Sequence, residues 1–275
     1  MKTVYAIDFG TTNSLLAAAR DGKSLGFAPL DPAAANPSVL RSLLYFPNAK
    51  SVFYGSDAVR EFSARDQVGR LIRSIKRQLP RRSFVGTFVD DRPFNLEDLI
   101  AVFLAEMKRR ADVHFVADVR SVVLGRPARF SNDDADDRFA QDRLERAARL
   151  AGFTEIEFFA EPIAAAHGYA RADQVGGAAP LREEIVFAAD FGGGTSDFTL
   201  YRVRSDARAF EGSDVLAMGG VSVAGDALDS GIMRRRIAPH FGTGVKYQVP
   251  FGSNILTMPV HLMERICHPA EISLL

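Results

Sequence analysis

Tyr5 to Ser14 and Val186 to Asp197 repeat one design: an apolar run, then Asp, Phe and Gly, then small hydroxyl or glycine residues before the next alternating stretch. The first copy reads Ile7-Asp8-Phe9-Gly10-Thr11-Thr12-Asn13-Ser14 and the second Asp190-Phe191-Gly192-Gly193-Gly194-Thr195-Ser196-Asp197. This is the pattern of a strand, a tight turn and a returning strand. Such a turn presents bare backbone N–H groups and hydroxyls, which together cradle an anion. Glycine lets the backbone approach a phosphate closely. An Asp at the strand end supplies the hard oxygen that a magnesium ion or its water shell prefers. Two such cradles facing each other would grip a nucleoside triphosphate from both sides. Neither Asp-Phe-Gly triplet belongs to a protein-kinase set, because the Gly-rich loop and the His-Arg-Asp loop are missing. There is no full Gly-x-x-x-x-Gly-Lys-Ser/Thr phosphate loop either.

Bulk properties narrow the surroundings of this site. A chain of 275 residues can hold one large domain or two medium ones. Lys plus Arg equals Asp plus Glu at 34 each, which argues against a general nucleic-acid or anionic-membrane binder. No apolar run approaches the ~18 residues of a membrane span. The N-terminus enters a strand directly, without a signal-peptide pattern. Cys267 is the only cysteine, so intrachain disulfides are excluded and the cytoplasm is the expected compartment. His261, Cys267 and His268 fit no standard zinc spacing.

The periodicity predicts strands at residues 3–8 and 15–20, with Asp21-Gly22 as a hairpin turn into residues 24–30. Helices are expected at 56–65 and 67–78, the latter from Val68, Leu71, Ile72 and Ile75, with Pro80 as the stop. Leu96, Leu99, Ile100, Phe103, Leu104 and Met107 follow helical spacing to about Ala111. Asn95 and Asp98 form a weak capping box before them. Residues 119–124 and 156–159 read as strands. Asp134 to Ala151 reads as a helix closed by Gly152, and Glu161-Pro162 opens a helix of small residues. Residues 173–180 are the best linker. Strands follow at 185–190 and 197–203, then a helix at 228–237 whose Arg234-Arg235-Arg236 reads as a solvated face. Residues 241–275 carry no clear pattern.

Five segments together resemble one family. Ile7 to Ser14 and Asp190 to Asp197 resemble the two phosphate loops of the seventy-kilodalton heat-shock protein chaperones. Phe159 to Tyr169 resembles their Glu-Pro-Thr-Ala-Ala-Ala helix. Gly55 to Ala58 resembles a Gly-Asp-x-Ala helix start, and Ala224 to Asp229 a Gly-Gly-Glu-Asp-Phe-Asp segment. Gly125-Arg126-Pro127 and residues 145–153 look like a divergent bacterial subgroup, the YegD-like proteins. The resemblance runs from residue 1 to about 237.

It implies an α/β nucleotide-binding domain of actin-like ATPase (ribonuclease H-like) fold with two pseudo-symmetric lobes. Residues 1–180 would form the first lobe, and 181–275 part of a second, incomplete one without a peptide-binding domain. Asp8 and Asp190 would hold magnesium. Gly10, Thr11, Thr12, Asn13 and Gly192, Gly193, Gly194 and Thr195 would cradle the phosphates of ATP or ADP, and Gly225 would close the site. Glu161 would orient or deprotonate water. Lys76 would offset charge developing on the γ-phosphate. Client polypeptides and co-chaperones are the implied partners. Ser196 and Ile163 depart from the family pattern. The adenosine-binding segments would lie beyond Leu275, so weak ATP binding and slow hydrolysis are expected. A sugar or metabolite kinase and a non-hydrolysing relative of the same fold are the alternatives.

Overall fold

A computed structural model describes residues 2–166, 168, 183–203, 212–221, 223–249 and 253–268. The N-terminal part is built on a mixed sheet of strands β1 (Thr3–Phe9), β2 (Asn13–Arg20), β3 (Lys23–Phe27), β10 (Ser121–Arg126) and β11 (Glu155–Ala160). The order is β11-β10-β1-β2-β3, and the short β4 (Leu40–Arg41) pairs with β2. β1 runs parallel to β10 and antiparallel to β2. Side chains alternate faces along a strand. Tyr5, Ile7 and Phe9 are therefore buried on one face, while Ala6 and Asp8 stand exposed on the other.

Two helices cover the buried face, α2 (Leu96–Phe115) and α3 (Asp134–Leu150). Leu99, Ile100, Phe103, Leu104 and Met107 of α2 join Leu144 and Ala147 of α3 and the strand residues in one core. The Phe9 and Phe103 rings lie 5.8 Å apart. Each large side chain buried there contributes about 2 kcal/mol. The expected capping box is present, with Asp98 accepting the Asn95 N–H at 3.1 Å. α2 outruns its expected end by one turn and stops at Val116, whose φ is 51°.

The expected helix at 67–78 does not form. The preceding helix α1 (Gly55–Ala64) ends, and Asp66, Gln67 and Gly69 all adopt left-handed φ values, which no helix can continue through. Residues 70–73 become strand β7 (Arg70–Arg73), antiparallel to β5 (Leu43–Asn48), which also pairs with β6 (Ser51–Tyr54). A single 3-10 turn, Ile75–Gln78, follows. A hairpin of β8 (Gly86–Val89) and β9 (Arg92–Asn95) leads into α2.

A second sheet, β12 (Glu184–Phe191), β13 (Ser196–Val203) and β14 (Val215–Val221), is antiparallel throughout. Between the two sheets runs a helix, α4, described over residues 161–166. Its Ala166 packs with Tyr201, Val186 and Ala188 of the second sheet. Helix α5 (Gly225–Ile232) follows β14 and widens into a π-type turn at Met233–Ile237, so the expected helix at 228–237 starts earlier and ends irregularly. A small hairpin, β15 (Lys246–Gln248) with β16 (Ile255–Thr257), and helix α6 (Val260–Cys267) occupy the stretch that the sequence left unread. The expected linker at 173–180 lies outside the described residues. Among the described residues no helix is long and apolar enough to cross a membrane.

Candidate phosphate-binding cleft

The sequence repeat is also a repeat of register. Asp8 pairs with Leu15 and Phe9 with Ser14; Asp190 pairs with Asp197 and Phe191 with Ser196. Each aspartate thus ends its strand at one position relative to its turn. Asp8, Ala6, Leu15, Ala17 and Val123 share the open face of the first sheet and line a cavity of about 1030 Å³. From the other side the cavity is lined by Asp190, Gly192, Gly193, Thr195, Asp197 and Gly225. Gly10, Thr11, Thr12, Asn13, Lys76 and Glu161 complete the expected set in the same wall. Gly194 is the exception. It is buried behind the loop and faces a neighbouring cavity that shares Thr11, Lys76 and Thr195 with the first.

The two turns touch. A β-carbon on Gly193 would collide with Thr12 Oγ1, and one on Gly194 would sit 3.2 Å from Thr11 Oγ1. Glycine at 193 is what lets the second turn close on the first. Each turn is braced from behind. Ser42 donates its hydroxyl to the Gly10 carbonyl at 2.7 Å and its N–H to the Thr12 carbonyl at 2.8 Å. Its one proton being committed, Ser42 accepts from Ser14, 2.9 Å away. On the second turn, the N–H groups of Gly225 and Asp226 at the start of α5 donate to the carbonyls of Gly192 and Gly193 at 3.0 and 2.8 Å. Arg77 spans the cleft to Asp226, with Nη1 to Oδ2 at 2.8 Å.

Lys76 donates through Nζ to Glu161 Oε1 at 2.7 Å, and the two side chains are only 8% and 19% exposed. Its 3-10 turn is entered through Ser74, which holds a left-handed φ of 55°. A non-glycine residue in that region carries strain of order 1–3 kcal/mol, retained where the surroundings enforce it. Glu161 begins α4 at the end of β11. It reaches the cleft across Gly125, where a β-carbon would stand 3.2 Å from Glu161 Cγ and 3.3 Å from the Ile7 carbonyl oxygen.

The carboxylates crowd one another. Desolvation, then the negative charges of Glu161 and Asp190, push the Asp8 carboxyl up to about 6, with Lys76 acting in the opposite direction. Asp8 is open to the cleft, so water screens part of this effect even though protein surrounds it on most sides. Asp197 is buried and raised as well. Desolvation is the leading cause, opposed by the N–H of Ala128, and Glu161 adds to the rise. Among the described residues no three His, Cys, Asp or Glu side chains converge to cage a metal ion by themselves.

Asp197, Ser42, Gly125 and the Arg77–Asp226 pair were absent from the expected set. Asp197 had a signal, since it closes the second copy of the repeat opposite Asp190. The others depend on contacts between distant segments and carry none.

The chain matches the family model described as Hsp70 protein over residues 60–234. It is 30% identical over 201 residues to the chaperone protein DnaK of Thermosipho africanus (strain TCF52B), covering 73% of this chain and 30% of that protein. It is 32% identical over 253 residues to the chaperone protein HscA homolog of Pseudomonas putida (strain KT2440), covering 84% of this chain and 37% of that protein. The chain thus spans about a third of the length of these curated relatives. The mixed sheet, its covering helices and the paired turns are the architecture of an actin-like ATPase fold. By the family match, which covers more than half of its length, the chain belongs to the Hsp70 protein family.

Proposed function

We propose that the cleft binds ATP or ADP with magnesium and hydrolyses ATP, as the nucleotide-binding part of a chaperone. The observation that carries this reading is the contact of the two turns, Gly193 against Thr12, over one cavity that also holds the Lys76–Glu161 pair. The N–H groups and hydroxyls of Gly10 to Asn13 and Gly192 to Thr195 would bind the phosphates from both sides, with Gly225 closing the far wall. Asp8 and Asp190 are the residues that would hold magnesium. They suit an ion that keeps most of its waters and takes one or two carboxylates plus phosphate oxygens. Bound there, magnesium would supply charge neutralisation at the phosphates.

Glu161 would accept a proton from, or orient, the attacking water. Lys76 fixes the position of Glu161 through the 2.7 Å ion pair, and would offset charge on the transferred phosphoryl group. Residues 1–180 and 181–275 act as two lobes in this reading. Client polypeptides and co-chaperones are the partners it implies, and the cytoplasm is the compartment. The finer YegD-like placement rests on Gly125-Arg126-Pro127 and residues 145–153. The sugar-kinase alternative is not favoured, since the family and both relatives are chaperones.

Calorimetric titration with ADP and magnesium tests the reading. Gly193→Val, which forces the turns apart, should weaken binding at least about tenfold, or ~1.4 kcal/mol. Equal affinity in a folded Gly193→Val variant would refute the cradle.

A further inference from the structure

Lys76 stands on one 3-10 turn, and the chain from Leu79 to Val85 continues as isolated turns without a strand or helix of its own. Its backbone bonds are mostly local, such as Arg81 N–H to the Gln78 carbonyl and Phe84 N–H to the Arg81 carbonyl, both 3.1 Å. Beyond these, Leu79 is buried in the core, the Leu96 N–H meets the Val85 carbonyl at 2.9 Å, and Arg82 reaches Asp136 and the Ala135 carbonyl of α3 at 2.6 and 3.1 Å. A segment of this kind is set in place by whatever external groups bind its carbonyls. One side chain reaches three carbonyls in this stretch. Arg143 of α3, 3% exposed, donates through Nη1 toward the carbonyls of Phe84 at 3.0 Å, Arg81 at 3.3 Å and Gln78 at 3.4 Å. Its Nε and Nη2 meanwhile grip the two carboxylate oxygens of Glu97 at 3.0 and 3.3 Å, at the start of α2. Burial alone would push the Glu97 carboxyl up, but the bonds from Arg143 outweigh it and hold the group below the usual range. The charge is therefore compensated. The planar fork is left to stitch three successive turns to the helical layer, a task a lysine cannot perform.

We propose that Arg143 is a positioning residue: by fixing the turns that follow Lys76, it sets the lysine against Glu161 and the cleft. This rests on the role given to Lys76 above, and the test separates the two ideas. The first readout is acylation of lysines by acetic anhydride, followed by mass spectrometry. It needs no turnover. In the unaltered chain Lys76, buried against Glu161, should label slowly and the exposed Lys50 fast. Arg143→Lys should raise labelling of Lys76 several-fold, while the buried Lys108 in the middle of α2 stays protected.

The second readout is single-turnover hydrolysis of ATP with magnesium. The rate should fall about tenfold to a hundredfold, as expected for a misplaced group, with ADP affinity unchanged. Glu97→Gln, a milder change that loosens the guanidinium without emptying its site, should expose Lys76 to a smaller degree. Lys76 remaining protected in either folded variant would overturn the proposal. So would Lys76 and Lys108 becoming reactive together, which means general loosening. Failure of the unaltered chain to bind nucleotide would sink the ATPase reading alone, since the labelling still decides whether Arg143 anchors the lysine.

Discussion

Lys76 and Glu161 lie 85 residues apart in sequence and 2.7 Å apart in space. Removing one partner of so buried a pair strands the other charge. Lys76→Met is therefore expected to destabilise the fold by roughly 3 kcal/mol, and Lys76→Met combined with Glu161→Leu to recover part of that loss. Urea denaturation of the three variants measures it, and additive losses would show that the pair is not coupled. Glu161→Gln should leave ADP binding in place and lower ATP turnover by about a hundredfold or more.

Asp8 gives a pH dependence with a defined sign. Its carboxyl titrates near 6 in the folded chain and near the ordinary 3.8 when unfolded. Between those values the folded state holds more protons, so this group's contribution to stability falls as pH rises from about 4 to about 6. Asp8→Asn abolishes that component. The melting temperature of the variant should gain on the unaltered chain as pH passes from 4 to 6.5, in buffer without divalent cations. A constant difference across that range would remove the assignment.

At the level of elements, the first turn depends on Ser42, which lies on neither strand of its hairpin. Ser42→Ala leaves the Gly10 carbonyl without its hydroxyl partner and is expected to cost about 1–2 kcal/mol. It should also weaken ADP binding through the first turn, and titration beside a thermal melt tests both. What could be read in advance divides along the same line. The two hairpins were legible because Asp-Phe-Gly and the flanking alternation are local, and the repeat then fixed their common register. α2 was legible because six apolar residues keep one face. Residues 67–78 were not, because Leu71, Ile72 and Ile75 fit a strand as well as a helix. Pairing with β5, Ile72 against Leu44, decided the matter from a distance. The Gly69 turn was the one local warning. Lys76 could be chosen by resemblance, but its partner, its left-handed neighbour Ser74 and the Arg143 anchor are all tertiary facts.

Across the whole molecule, the cleft joins segments far apart in sequence, through the Arg77–Asp226 ion pair, the Ala128–Asp197 hydrogen bond and the touching turns. A ligand held by both turns stabilises everything they connect. ADP with magnesium at a hundred times its dissociation constant should add about 2.7 kcal/mol to unfolding. Asp226→Asn should reduce the affinity behind that gain, and calorimetry with and without ligand reads both effects. The acidic lining has one more consequence. Asp8, Glu161, Asp190, Asp197, Asp226 and Asp229 face the cavity against Arg41, Arg73 and Lys76. An empty cleft of that composition repels a bare polyphosphate, whose own negative charge adds to the crowd. In the proposed reading, selectivity would therefore begin at the entrance: the cleft would admit nucleotide as an ion-paired guest and turn away the naked anion. Chelating the divalent cation should close it to ATP as effectively as a mutation would.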